Sequence, residues 1–351
     1  MKLVIATPLY PPEPGGPATY SALLEKHLPP KGVEVELVKF SDVRHLPKLL
    51  RHIAYFFRVR SALKKADTLL VLDPVSTGLP AALAALSLKK PYVAKIVGDY
   101  AWEQGTRRFN VTETLDEFVL KEKVPFQVQL LKNVQVWVAT HAHTLLVPSE
   151  YLKSIVMSWG DIKPPIVVIH NAAEVSHVGS VPEEVQKAEK PLIVTVGRLV
   201  PWKGIAELIE AKNELPGTLV IVGDGPEKAT LERQIREGGA QAIVVGSLSH
   251  ENTLAVLKEA DVFVLNSSYE GLSHVLIEAL SLGVPIVTTD AGGNREVITN
   301  EREGIVIPVG DTARLQEAIT TQLAASRGVP SERFSVDRMI EKTVTALTSA
   351  V

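Results

Sequence analysis

The chain has 351 residues, enough for two domains of ordinary size rather than one. Hydrophobic residues make up 46% and aromatics 5%, and the net charge is −3, which suits an aliphatic-rich α/β protein and removes any global electrostatic case for nucleic acid as a partner. The absence of cysteine excludes disulfides, Cys-ligated zinc and thiol catalysis. No stretch approaches the roughly 20 apolar residues that a spanning helix needs, and the apolar start is too short for a signal core, so a cytoplasmic protein is expected.

Residues 2–7 read as the first strand. A loop stiffened by Pro8, Pro11, Pro12 and Pro14 follows, then Gly15 and Gly16, with Pro17 where a helix's first turn accepts proline. A glycine pair here lets a ligand approach the backbone closely, or is an ordinary turn. Residues 33–40 read as the second strand. Residues 43–66 then hold Arg44, Lys48, Arg51, Arg58, Arg60, Lys64 and Lys65 with no acidic residue, interleaved with Leu49, Leu50, Ile53, Phe56, Phe57 and Val59. Such a basic amphipathic segment suits an anionic membrane surface, or equally a helix that packs on a sheet and solvates its basic side. Strands are expected at 68–72, ending at Asp73-Pro74, and at 91–97. Asp99, Tyr100, Trp102 and Glu103 cluster after the latter, acidic and aromatic groups at a strand end that suit a hydroxyl-bearing ligand; the alternative is that Asp99 caps a helix. Residues 104–123 are polar, a loop plus helix, where Arg107 and Arg108 meet a phosphate or face solvent. Runs at 134–140 and 144–148 precede Ser149-Glu150, a helix start for 151–159. Residues 164–169 form the last strand of this half, and the polar stretch 173–189 reads as a linker.

The second half opens with a strand at 191–196, then Gly197-Arg198 and, five residues after the arginine, Lys203-Gly204. Two cations at one strand-to-helix crossing can reach the same anion, the guanidinium as a fork and the ammonium as a point charge. A strand at 218–222 leads to Gly223-Asp224-Gly225-Pro226 and a helix near Lys228. Another at 242–245 leads to Gly246-Ser247-Leu248 and a helix near Glu251. The apolar run 262–266 suits a buried parallel strand, 267–273 a loop, and 274–282 a helix ended by Gly283 and Pro285. A strand at 285–289, a Gly292-Gly293 turn and a helix start near Asn294 follow. Glu270 lies at a strand's C-terminal end, where parallel sheets bind ligands. The amides of Gly271, Leu272 and Ser273 make a phosphate cradle at the helix start. Glu278, among Leu, Ile and Ala, needs a polar partner such as a ribose hydroxyl pair, unless both glutamates face solvent. No two aspartates lie two apart, so no D-x-D pair is present and no metal is expected.

Glu270 and Glu278 followed by the Gly-Val-Pro turn, the G-R-x-x-x-x-K-G run at 197–204, the Pro-Pro-x-x-Gly-Gly loop and the G-x-G-P turn at 223–226 resemble the signatures of retaining GT-B glycosyltransferases, in particular glycosyltransferase family 4 (glycosyl transferases group 1). The resemblance covers nearly the whole chain. It implies an α/β protein of two Rossmann-like parallel-sheet domains facing an interdomain cleft: an acceptor domain at 1–172, a linker at 173–189, a donor domain at 190–329, and a helix within 330–351 that crosses back onto the first. It implies a hexosyltransferase-type enzyme (EC 2.4) of carbohydrate biosynthesis, moving a sugar from a UDP- or GDP-sugar to a hydroxyl of a glycan or lipid-linked acceptor. The transfer would retain configuration and use no metal or other cofactor.

In that resemblance Arg198 and Lys203 stabilise the leaving diphosphate, and Glu270 with Gly271, Leu272 and Ser273 holds sugar and phosphate. Glu278 binds ribose, and Gly15, Gly16, Asn171, Gly197, Gly223, Val245 and Leu248 line the donor. Asp99 acts in catalysis, with Tyr100, Trp102 and Glu103 on the acceptor side. Similar basic helices imply peripheral contact of 43–66 with the inner face of a membrane. One departure is Gly98, where many relatives carry a histidine before the aspartate; it keeps a nucleotide-sugar binder without turnover as an alternative. An NAD-dependent dehydrogenase predicts G-x-G-x-x-G after the first strand, where this chain has Pro-Gly-Gly-Pro.

Overall fold

The computed structural model describes every residue except Pro14, Ser176 and Val329. The expected loop proline Pro14, one position of the expected linker and the expected domain end at 329 thus lie outside the described residues. The chain divides into two units, Met1–Asn171 with Val336–Val351, and Ala172–Ser335.

The first unit is built on strands β1 (Lys2–Thr7), β2 (Glu34–Lys39), β3 (Thr68–Val71), β4 (Tyr92–Lys95), β5 (Thr144–Val147) and β6 (Ile166–Val168). All pair in parallel, in the order β2-β1-β3-β4-β5-β6. Leu3, Val4, Ile5 and Ala6 are fully buried, as a strand covered by helices on both faces requires. The order reverses direction between β1 and β3, so the loops leaving those strands diverge and open a crevice at the sheet's C-terminal edge. The final helix, Val336–Thr348, belongs to this unit and buries Met339, Ile340, Thr343, Ala346 and Leu347.

Two stretches left without a settled element by the sequence are helical here. The run 134–140 lies within the helix Phe126–His141. Its valines alternate as in a strand, but the buried positions are Val128, Gln135, Val138 and Ala139, a helical stripe. Within 104–123 the first helix starts earlier, at Tyr100–Arg108, and a second, Leu115–Leu120, is closed by a capping box between Thr114 and Glu117.

The second unit carries β7 (Leu192–Val196), β8 (Thr218–Val222), β9 (Ala242–Gly246), β10 (Val262–Leu265), β11 (Ile286–Thr289) and β12 (Ile305–Ile307). They form a parallel sheet in the doubly wound order β12-β11-β10-β7-β8-β9. Alternate residues feed two cores. Leu192, Val194, Phe263 and Leu265 pack with Leu254, Leu276 and Leu280 on one face. Ile193, Val262 and Val264 pack with Ile205, Leu208 and Ile319 on the other. The segment expected as a linker is part of this unit: it holds the short helix Glu183–Gln186, and Val185 joins the first of these cores.

Candidate active site

Strands β7 and β10 are neighbours, but the chain runs out through β8 and β9 before returning to β10. Their following loops leave in opposite directions, which makes this the second unit's switch point. The two loops are stitched together. The Asn266 side-chain amide donates to the Gly204 carbonyl at 2.9 Å, and the Ser268 amide donates to the Trp202 carbonyl at 2.8 Å. Gly204 has φ 61°, and a Cβ there would lie 2.1 Å from the Asn266 carbonyl oxygen, so only glycine fits.

That stitching fixes the chemistry. Lys203 closes a single 3-10 turn, Pro201–Lys203, and its side chain runs back toward Gly197, where a Cβ would lie 3.6 Å from Lys203 Cε. Lys203 Nζ lies 2.5 Å from Glu270 Oε1, and Ser267 Oγ donates to the same oxygen at 2.6 Å. Glu270 is 8% exposed, so its charge is held by a cation and a hydroxyl rather than by water. Arg198, on the same loop as Lys203, is exposed and makes no hydrogen bond or ion pair among the described residues.

Glu278 sits in the second turn of the helix His274–Ser281, which Ser273 caps by accepting the Leu276 amide at 3.3 Å. Glu278 is buried, and burial pushes its carboxyl up to about 8. His250 Nδ1 stands 3.7 Å from Glu278 Oε1, at the start of the helix His250–Glu259 that follows β9. Near the end of β9 the pairing with β8 slips, and Val222 pairs with Gly246. Such an irregularity re-aims the chain just before the loop. Val245 and Leu248 lie half-buried against the core there. Gly197 donates to the Val222 carbonyl at 3.0 Å and Gly223 to the Gly246 carbonyl at 2.8 Å, so the three loop starts are laced side by side.

The first unit holds the remaining expected residues. Gly15 and Gly16 are exposed at the start of the helix Gly16–His27, after β1. Asn171 is buried and accepts from Lys95 Nζ at 3.4 Å; that lysine lies over the Tyr20 ring, and burial pushes it down to about 7. Asp99 is fully buried. Its Oδ1 accepts the Trp102 amide at 2.9 Å, capping the helix Tyr100–Arg108, and its Oδ2 accepts the Trp159 indole N–H at 2.9 Å. Both oxygens are committed inward, so the capping role applies, not the presentation of a carboxylate to an acceptor. Trp102 is likewise no exposed platform: it is 4% exposed, and its indole donates to the Glu113 carbonyl at 2.8 Å. Tyr100 and Glu103 instead line a cavity of about 530 Å³ at the C-terminal ends of β1, β3 and β4.

Residues 3–172 match the glycosyl transferase 4-like domain, and residues 180–333 match glycosyl transferases group 1. The chain belongs to the group 1 glycosyltransferase family. Among curated relatives, the lipopolysaccharide core biosynthesis glycosyltransferase LpsE of Rhizobium meliloti is 33% identical over 133 residues, 38% of this chain and 39% of that protein. The putative teichuronic acid biosynthesis glycosyltransferase TuaC of Bacillus subtilis is 40% identical over 145 residues, 39% of this chain and 36% of that protein. The chain thus spans less than two-fifths of the length of these curated relatives, 39% and 36%. Among solved structures, Anabaena Alr3699/HepE in complex with UDP and glucose superposes with a TM-score of 0.75 at 18% identity, covering 99% of each chain. That likeness shows the GT-B fold.

Against the family pattern, sequence reasoning missed several side chains that hold the site. Ser267 and Asn266 precede Glu270 by three and four residues, and the β10 turn gives them its carboxylate and the β7 loop as partners. His250 was visible only as part of a helix start. Arg44, Arg51 and Asp73 join Tyr100 at the first unit's cavity although they come from three separate segments.

Proposed function

We propose that the protein is a retaining glycosyltransferase that moves a sugar from a UDP- or GDP-sugar to an acceptor hydroxyl. The observation that carries this reading is the Lys203–Glu270 pair at the β7/β10 switch point, with Arg198 on the same loop unpaired among the described residues. Breaking the bond between the sugar's anomeric carbon and the diphosphate leaves negative charge on a phosphate oxygen. A guanidinium fork and an ammonium with two N–H groups beyond the one on Glu270 stabilise that charge. Glu270, fixed by Lys203 and Ser267, accepts the sugar's hydroxyls. Glu278 meets the ribose, whose hydroxyls replace the water its burial removes. The acceptor oxygen bonds to the anomeric carbon on the face the diphosphate leaves, and its proton passes to the departing phosphate oxygen, so configuration is retained. No metal is required, because the two cations do its work on the diphosphate. HepE, solved with UDP and glucose, lends support to a nucleotide-sugar donor.

The first unit would supply the acceptor side, at the surface of an anionic membrane. The helix Lys48–Leu63 buries Tyr55, Val59, Ala62 and Leu63. Leu49, Leu50, Ile53 and Phe57 are turned outward, at 80%, 55%, 54% and 60% exposed. A solvated helix would carry polar residues on that stripe; an apolar stripe among lysines and arginines suits an anionic interface. Flotation with anionic liposomes at low salt is the check, and failure to float removes the membrane contact.

Thermal unfolding with UDP, GDP, ADP and NAD tests the donor reading. A ligand at about 100 times its dissociation constant adds roughly 2.7 kcal/mol. A nucleoside diphosphate should raise the midpoint, and Arg198→Ala should abolish the rise. Stabilisation by NAD alone would sink the proposal. Donor binding with no turnover, and no change on Glu270→Ala, would leave a binder rather than an enzyme.

A further inference from the structure

The cavity of about 530 Å³ in the first unit has a charge pattern that the donor reading does not use. It lies at the β1/β3 switch point, with further walls from the loop after β4 and the helix Lys48–Leu63. Four arginines line it, Arg44, Arg51, Arg107 and Arg108, against two carboxylates, Asp73 and Glu103. Asp73 is occupied locally: its Oδ1 accepts the Val75 amide at 2.8 Å and the Thr77 amide at 3.1 Å, and burial raises its carboxyl toward the neutral form. Arg44 is engaged by Glu13 and by the Pro8 carbonyl.

Two of the arginines have no side-chain hydrogen bond or ion pair among the described residues. Arg51 Nε is buried with no hydrogen-bond partner among the described residues, and the guanidinium sits 5.7 Å from the centre of the Phe40 ring. Arg108 makes no hydrogen bond or ion pair among the described residues. A buried N–H of a permanent cation, left without an acceptor, is costly unless the site is built to receive one. Several guanidiniums converging on one concavity exceed what a single carboxylate needs; they match a group with two charges and three acceptor oxygens.

We propose that this cavity binds a phosphoryl group carried by the acceptor, with Arg51 and Arg108 as its principal contacts. The assignment of the anion to an acceptor rests on the glycosyltransferase reading; the assignment of phosphate to the cavity does not. The same chemistry is offered by a soluble sugar phosphate or by a phosphate at the head of a lipid.

The test is titration calorimetry on the full chain with glycerol 3-phosphate, glycerol and glycerate. In parallel, flotation is run with phosphatidylcholine vesicles with or without a polyprenyl monophosphate. Three variants are compared with the parent: R51Q/R108Q, R51K/R108K and Arg198→Ala. Glycerol 3-phosphate or the phosphate-bearing vesicles should bind the parent and Arg198→Ala alike, and bind R51Q/R108Q about 10-fold or more weakly, as loss of charge-assisted bonds requires. Binding of the soluble probe assigns a soluble acceptor, and binding only of the vesicles a lipid-linked one. R51K/R108K keeps the charge but not the fork and should fall between; it also serves if the glutamine variant fails to fold. Binding that vanishes with Arg198→Ala but survives R51Q/R108Q places the anion in the second unit and overturns the proposal. So does equal affinity for glycerate, or no binding in either format. Nucleoside diphosphate binding, followed separately on Arg198→Ala, reports on the donor reading alone.

Discussion

Glu278 and Glu270 are both buried glutamates, but their surroundings set them different tasks. Glu270 has an ammonium at 2.5 Å and a hydroxyl at 2.6 Å on one oxygen. Lys203→Ala leaves that carboxylate with Ser267 alone. Breaking a buried pair costs several kcal/mol, and with side chains 17% and 10% exposed a loss of about 2 kcal/mol is expected, read as a lower urea midpoint. Glu278 is raised by burial from 4.5 to about 8. Between those values the folded protein holds a proton that the unfolded chain has released. The group's contribution to stability is therefore complete below about pH 4.5 and is lost as pH rises toward 8. Urea midpoints of the parent should fall between about pH 5 and about pH 8, and fall less in Glu278→Gln. Equal slopes would mean that Glu278 is already ionised in the folded protein.

At the level of elements, the site depends on two loops held at fixed separation. Gly204→Ala puts a Cβ against the Asn266 carbonyl at 2.1 Å and holds alanine at φ 61°. It should cost more than about 1 kcal/mol and weaken nucleotide binding together, because the turn that aims Lys203 must shift. Unchanged binding in a folded variant would show that the stitch does not position the lysine. The strands Lys2–Thr7 and Thr218–Val222 are legible in the sequence because a strand buried on both faces is a plain apolar run bounded by turn residues. Lys203 and Glu270 are legible too, since each sits at the end of such a run. Their contact is not, because it needs the strand order, which no local pattern carries. The helix Phe126–His141 is not legible from the valines at 134–140, because its buried stripe runs through Val128, Gln135, Val138 and Ala139. Asp99 as a helix cap is legible as one of two readings, but not that its second oxygen is taken, because the Trp159 indole that takes it is distant in sequence. The arginine cavity was hidden for the same reason, its cations coming from residues 44, 51, 107 and 108.

Across the whole molecule, the chain leaves the first unit at residue 171 and re-enters it at 336. The returning helix Val336–Thr348 buries four apolar side chains, and the Thr343 hydroxyl lies 3.3 Å from that of Tyr20 on the first unit's opening helix. At roughly 1.5–3 kcal/mol per buried side chain, removing the helix takes away an amount comparable to the stability of a domain. A chain ending at residue 335 should therefore show a first unit open to limited proteolysis while Ala172–Ser335 stays resistant. Equal resistance of both units would show that the tail is dispensable. The same connection orders events during synthesis. The second unit is contiguous and can close as soon as it leaves the ribosome, whereas the first begins to emerge earlier yet waits for residues 336–351. Until that returning helix emerges, the half that appears first carries an unfilled apolar seam, so a nascent chain stalled before residue 336 is the form in which this protein is most exposed to chaperones.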